Sequence, residues 1–103
     1  MTAKQVKEDL VNIRMYYRDF DFFQAWRKKG ITNKVFETVD RYNNAMRNAP
    51  VALFRVYIGL YCEGQTRDEV ACAYGYSLKQ IGDWCTQLFQ YLTEALGRTS
   101  TNK

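Results

Sequence analysis

Apolar residues recur at helical spacing from the start of the chain. Five of them lie three or four positions apart, the spacing that puts side chains on one face of an α-helix: Val6, Leu10, Ile13, Tyr17 and Phe20. Thr2 and Gln5 form a capping-box pair ahead of this stripe. The stretch 27–30, Arg-Lys-Lys-Gly, supplies the positive charge and the glycine typical of a helix end. The pattern predicts one amphipathic helical region over residues 1–30.

Two more helices follow in the pattern. The second is expected to begin at a cap on Thr32 or Asn33, and its apolar positions are Val35 or Phe36, Val39, Tyr42 and Met46. Pro50 suits the first turn of a third helix, which Gly64 ends. The buried face of this third helix is expected to hold Leu53, Val56 with Tyr57, Leu60 and Tyr61. No stretch shows the period-two alternation of a strand.

The pattern from residue 66 onward predicts a short helix, a tight turn and a long helix. Thr66 and Glu69 form one capping box, and Ser77 and Gln80 form another. Gly75 lies between them, where a helix that ends in the left-handed conformation favours glycine. Helical spacing then continues for about five turns through Leu78, Ile81, Trp84 or Cys85, Leu88, Leu92 and Leu96. The chain is therefore predicted to be all-α, with about five helices and a C-terminal helix-turn-helix whose second helix is long.

This segment resembles the helix-turn-helix of sigma-70 region 4. The matching positions follow that family's pattern and spacing: Tyr61, Glu63, Gly64, Thr66, Glu69, Val70, Ala71, Ala73, Gly75 and Ser77. Small phage-encoded transcriptional regulators of the ArpU/RinA kind carry the same module behind a helical N-terminal segment. The resemblance implies a helix-turn-helix over residues 50–97, preceded by a helical segment over 1–49 for core packing or oligomerisation. The polar tail, 98–103, is expected to fray.

The resemblance implies a phage-encoded regulator that binds promoter or operator DNA with the helix that begins at Ser77. If Ala71, Gly75 and Ile81 define the turn, the positions facing the groove are Ser77, Leu78, Lys79, Gly82, Asp83 and Thr86. Gln80 could reach adenine, although capping is the simpler role. Arg67 is a candidate for a supplementary phosphate contact, as is Arg55, with surface ion pairing as the alternative for each.

Charge is distributed unevenly along the chain. Residues 1–50 hold ten Lys or Arg against six Asp or Glu, a net charge of +4, whereas residues 51–103 hold five of each. The predicted DNA reader is therefore neutral, although phosphate neutralisation supplies much of the affinity of DNA-binding proteins. This favours a homodimer, which doubles the phosphate contacts and reads two half-sites.

Aromatic residues between positions 16 and 26 give more apolar surface than one isolated helix can hide: Tyr16, Phe20, Phe22, Phe23 and Trp26. They are predicted to form either part of the core or an interface with a subunit or partner. The second alternative supports a different function. The chain would then be a protein-interaction module of the same fold that modulates transcription by binding RNA polymerase or another regulator.

Other function classes have little support. The chain has no histidine, so the common His-containing zinc sites and Ser/Cys–His dyads are excluded, and we expect no enzyme, cofactor or metal. Its three cysteines lack C-x-x-C spacing and are expected to be reduced thiols in a cytoplasmic protein, two or more of them buried. Charged residues interrupt every apolar run, so no membrane span is predicted.

Overall fold

Regular structure over the described residues is entirely helical, which confirms the prediction that the chain is all-α. The computed structural model describes residues 2–101, with side chains described through Gly97. Within this range lie six α-helices: α1 Ala3–Arg18, α2 Phe20–Lys28, α3 Lys34–Met46, α4 Val51–Tyr57, α5 Arg67–Tyr74 and α6 Leu78–Thr101. The backbone of α6 thus runs to Thr101. The prediction that the tail, 98–103, frays concerns residues whose side chains all lie outside the described part of the chain.

The number of helices differs from the prediction because the first helical region is divided at Asp19. Asp19 makes the last helical bond of α1, from its N–H to the Met15 carbonyl at 3.1 Å, but its own backbone is not helical (φ −106°, ψ 36°), and α2 begins at the next residue. The stripe predicted across this region is therefore interrupted. Phe20, its last member, lies on the surface, whereas Tyr16 is buried and stacks on Phe23 of α2 with ring centroids 5.5 Å apart.

The predicted third helix is also interrupted. It begins after Pro50 and continues beyond α4 as a π-helical turn over Ile58–Cys62. The Glu63 N–H donates to the Ile58 carbonyl at 2.8 Å, a bond that spans five residues, and Gly64 then leaves the helix at φ 67°. The π turn adds one residue per turn and thus rotates the positions that follow it.

Helix α6 is the element that the others share. It packs against α1, α3, α4 and α5. Its buried side chains lie at helical spacing along one face: Ile81, Cys85, Leu88, Leu92 and Leu96. Between the two alternatives at positions 84 and 85, Cys85 is in the core and Trp84 is partly buried. Likewise, Asn33 rather than Thr32 caps α3 by accepting the Val35 N–H at 2.9 Å.

A buried polar cluster joins α1 to α3. The Tyr42 hydroxyl donates to Asp9 at 2.7 Å, and the Gln5 amide donates to the other carboxylate oxygen at 3.0 Å. Arg41 lies 3.8 Å from the same carboxylate. Burial and the hydrogen bond to Asp9 raise the pKa of Tyr42, so its hydroxyl keeps its proton. The cluster therefore satisfies a carboxylate that would otherwise be costly to bury.

The three cysteines differ in exposure. Cys85 is buried, Cys62 is half-buried and Cys72 is exposed. The prediction that two or more thiols are buried is therefore met completely by one cysteine and in part by a second. Burial raises the pKa of Cys62 to about 11, against weaker lowering by hydrogen bonds with Tyr17 and Tyr57. Among the described residues no group of three or more acidic or cysteine side chains is placed to hold a metal ion. None of the described helices combines the length and apolar character needed to cross a membrane.

The Asp9 cluster predicts a specific loss of stability. Tyr42→Phe removes the donor and leaves a buried carboxylate oxygen short of a partner, so the free energy of unfolding should fall by about 1–3 kcal/mol. Urea unfolding followed by circular dichroism measures this loss. Tyr74→Phe, at an exposed tyrosine, is the matched control and should change stability by less than about 0.5 kcal/mol. Equal losses in the two variants would contradict the role given to this cluster.

Two glycines predict opposite responses to alanine. A Cβ at Gly59 would stand 2.6 Å from Val70 Cγ2, so Gly59→Ala should destabilise the fold by about 1–3 kcal/mol. A Cβ at Gly82 would meet nothing within 4 Å, so Gly82→Ala should stabilise α6 by about 0.5–1 kcal/mol. Thermal unfolding of both variants checks the pair. A destabilised Gly82→Ala protein would show that the fold itself requires this glycine.

Candidate nucleic-acid interface

Helix α5 begins and ends at the predicted signals. Thr66 Oγ1 accepts the Glu69 N–H at 3.2 Å, and the Glu69 side chain accepts the Thr66 N–H at 2.9 Å. Gly75 follows α5 at φ 71°, and the Tyr76 N–H donates to the Ala71 carbonyl at 2.9 Å. These bonds satisfy backbone groups at both ends of the helix. Because the left-handed Gly75 ends α5, the chain changes direction before α6 begins.

Helix α6 begins with the second predicted capping box. The Ser77 N–H donates to Gln80 Oε1 at 2.9 Å, and the Gln80 N–H donates to Ser77 Oγ at 3.1 Å. Gln80 therefore has the capping role. The short helix, the glycine turn and the long helix are all present, and Val70, Ala71 and Ile81 are buried where α5 and α6 pack together. That this pair works as a DNA-binding helix-turn-helix stays a prediction.

The positions predicted to face a DNA groove all lie at the surface of α6 or its cap. Ser77, Leu78, Lys79, Asp83 and Thr86 are exposed, and Gly82 is half-exposed between them. The buried positions of the same turns point the other way, into the core. The first part of α6 thus has one face held by the protein and another open to a partner.

Arg67, the predicted phosphate contact, is the first residue of α5 and is exposed. Its charge acts on the buried Cys85 and on the partly buried Tyr61. Burial raises the pKa of Cys85, and the Arg67 guanidinium partly opposes that rise. Burial likewise raises the pKa of Tyr61, with Arg67 and Arg14 both lowering it. Arg67 therefore lies close to α6 as well as at the start of α5.

Arg14 is a basic residue at this site that sequence reasoning missed. Its Nη2 donates to the Gly64 carbonyl at 3.3 Å, just ahead of α5, and its side chain is exposed. Arg14 and Gly64 are 50 positions apart, so no local pattern in the sequence indicates their contact. Arg14 and Arg67 thus place two positive charges near Tyr61.

Arg55 lies at the other end of α5. Its Nη1 donates to the Tyr76 hydroxyl at 2.8 Å, and its guanidinium stands 5.1 Å from the centre of the Tyr74 ring. Tyr76 in turn packs edge-on against Trp84 of α6, with ring centroids 4.5 Å apart. This cluster ties α4 to the turn between α5 and α6. A positive charge therefore stands beside the start of α6.

The aromatic residues predicted as core or interface divide between the two. Tyr16 is 3% exposed and Phe23 is 9% exposed, so neither is available to a partner. Phe20 and Phe22 are 43% and 56% exposed. Trp26 is partly buried and contacts Phe22, with ring centroids 4.9 Å apart. The division at Asp19 explains this result, because it separates the faces of α1 and α2.

Comparisons with family models, curated proteins and solved structures yield no match to this chain. No family is assigned on that basis, and the likeness to sigma-70 region 4 stays a resemblance of residues. The functional proposal therefore depends on the geometry of α5 and α6.

Proposed function

We propose that this chain is a DNA-binding transcription regulator that inserts the start of α6, from Ser77 onward, into the major groove of promoter or operator DNA. The observation that carries the proposal is the exposed face of α6 from Leu78 to Thr86, which follows a capped turn from α5. A major groove about 12 Å wide admits an α-helix. In helix-turn-helix proteins, the N-terminal residues of the second helix contact the base edges.

The polar groups at this end of α6 suit contacts to phosphate. Ser77 Oγ accepts a hydrogen bond from the Gln80 N–H, so its own O–H stays free to donate. Lys79 supplies a cation on the exposed face. Arg67 at the start of α5 and Arg55, whose guanidinium stands beside Tyr74 at its end, add positive charge, and Arg14 and Arg67 both act on Tyr61. Such contacts orient a protein on the duplex without selecting a sequence.

A homodimer is part of the proposal. Between Leu78 and Thr86 the exposed face of α6 offers one lysine and one aspartate, so a single copy gains little from phosphate neutralisation. Two copies double the phosphate contacts and read two half-sites. Phe20 and Phe22 provide exposed aromatic surface on α2 for such an interface.

A second candidate is a protein-interaction module that binds RNA polymerase or another regulator without reading bases. Two observations favour it. The C-terminal half has no net charge, and Asp83 stands on the face that would enter the groove. The exposed Phe20 and Phe22 would then contact the partner.

Binding to duplex DNA tests the first candidate. Fluorescence anisotropy with DNA from upstream of the encoding gene should show affinity that falls steeply between 50 and about 200 mM salt. Lys79→Ala should lower affinity several-fold and reduce the slope of log K against log salt by about 0.9, since one phosphate contact is lost. Lys28→Ala, on α2, is the control and should leave both unchanged. Undetectable binding at about 50 mM salt would contradict the proposal.

The second candidate predicts loss of a protein contact when the exposed aromatics are replaced. The Phe20→Ser, Phe22→Ser variant should stay folded and should no longer be retained by purified RNA polymerase, because its contact surface is gone. Val51→Ser, at a residue that is 64% exposed on α4, is the matched control and should still be retained. Unchanged retention of the double variant would rule out these aromatics as the docking surface.

A further inference from the structure

The face of α6 proposed to enter the groove has few groups able to pair with base edges. A glutamine reads adenine through its oxygen and nitrogen together, but Gln80 Oε1 already accepts the Ser77 N–H. The Thr86 hydroxyl donates to the Gly82 carbonyl at 3.3 Å. Asp83 can only accept, and no arginine lies between Leu78 and Thr86. Between Ser77 and Thr86, Lys79 and the Ser77 hydroxyl are left to donate to a base edge, and no guanidinium or free amide is present to form the paired hydrogen bonds that read guanine or adenine.

The same face presents apolar groups in their place. Leu78, the first residue of α6, is 56% exposed, whereas Ile81, three residues later, is buried in the core. Leu78, Gly82 and Thr86 are spaced by four residues, which aligns them along the helix. The Thr86 hydroxyl donates its proton back to the helix, which leaves its oxygen only as an acceptor and its methyl group as an apolar contact for a partner.

Gly82 lies between these two side chains, and the packing of the fold does not require a glycine at this position. An added Cβ would meet nothing within 4 Å, in contrast to Gly59, where it would collide with Val70. Glycine inside a helix costs about 0.5–1 kcal/mol relative to alanine. Without a side chain at position 82, the backbone of α6 can approach a surface closely enough for Leu78 and Thr86 to touch it together.

Thymine is the standard base whose major-groove edge carries an apolar group, its C5-methyl. We infer that α6 selects its target by apolar contact of Leu78 and Thr86 with thymine methyl groups, so that the ligand is A·T-rich duplex DNA. This inference rests on the proposed DNA-binding function and names the class of sequence that the same face recognises. Lys79 and the arginines around α5 contact phosphates and hold the helix in the groove.

Four duplexes of equal length test the inference by fluorescence anisotropy at fixed low salt. They carry alternating A·T, A·U, G·C or G·5-methylcytosine pairs, so that the methyl group is removed or added with the pairing hydrogen bonds kept. Affinity should fall about fourfold for each buried methyl that uracil lacks, from about 0.8 kcal/mol per buried carbon group. It should rise when 5-methylcytosine replaces cytosine, because the methyl occupies the same edge.

Leu78→Ala should reduce the difference between the A·T and A·U duplexes to the part that Thr86 contributes, and because Leu78 is exposed the variant should stay folded. Val51→Ala, an exposed apolar position on α4, is the matched control and should keep the difference. Equal affinity of the unaltered protein for A·T and A·U duplexes would overturn the inference and leave DNA binding intact. Failure to bind any duplex at about 50 mM salt would instead overturn the proposed function.

Discussion

The burial of one face of α6 is the interaction on which the rest of the structure depends. Ile81, Leu88 and Leu92 are almost completely buried, and α6 contacts four of the other five helices in the described part of the chain. Because the core holds this long helix along its length, its opposite face near the start is rigid without being covered. A surface intended for recognition gains from such support, since a partner does not have to order it on binding.

The position of α5 depends on its close packing against Gly59. Gly59 lies in the π-helical turn, and the absence of a side chain there lets Val70 of α5 pack directly against the backbone. The Arg55 hydrogen bond to Tyr76 then holds the turn that leads into α6. The direction in which α6 leaves α5 thus depends on contacts with Arg55 of α4 and with the π-helical turn that follows α4, so both take part in positioning the exposed face.

The sequence predicted the features whose causes are local. The Thr66 and Ser77 capping boxes and the Gly75 turn each depend on residues within four positions of one another, and all three are present. Features that depend on distant contacts were missed. Nothing near Asp19 indicates that α1 ends there, and the periodicity of the third helix does not reveal a π turn. Arg14 reaches Gly64 because α1 packs against the π-helical turn over Ile58–Cys62. The exposure of Phe22 beside the buried Phe23 likewise depends on that fold.

A neutral reading face has a consequence for selectivity that a basic face does not. Phosphate contacts strengthen binding to every sequence alike, whereas contacts to base edges strengthen binding to the correct site. In the proposed complex, Lys79 is balanced by Asp83, so α6 would add little to non-specific affinity and the flanking arginines would orient the helix. The inferred methyl contacts from Leu78 would then raise the ratio of specific to non-specific binding, which is the quantity that matters among many competing genomic sites. The low charge of this helix is therefore compatible with DNA recognition, provided that a second copy supplies the missing affinity.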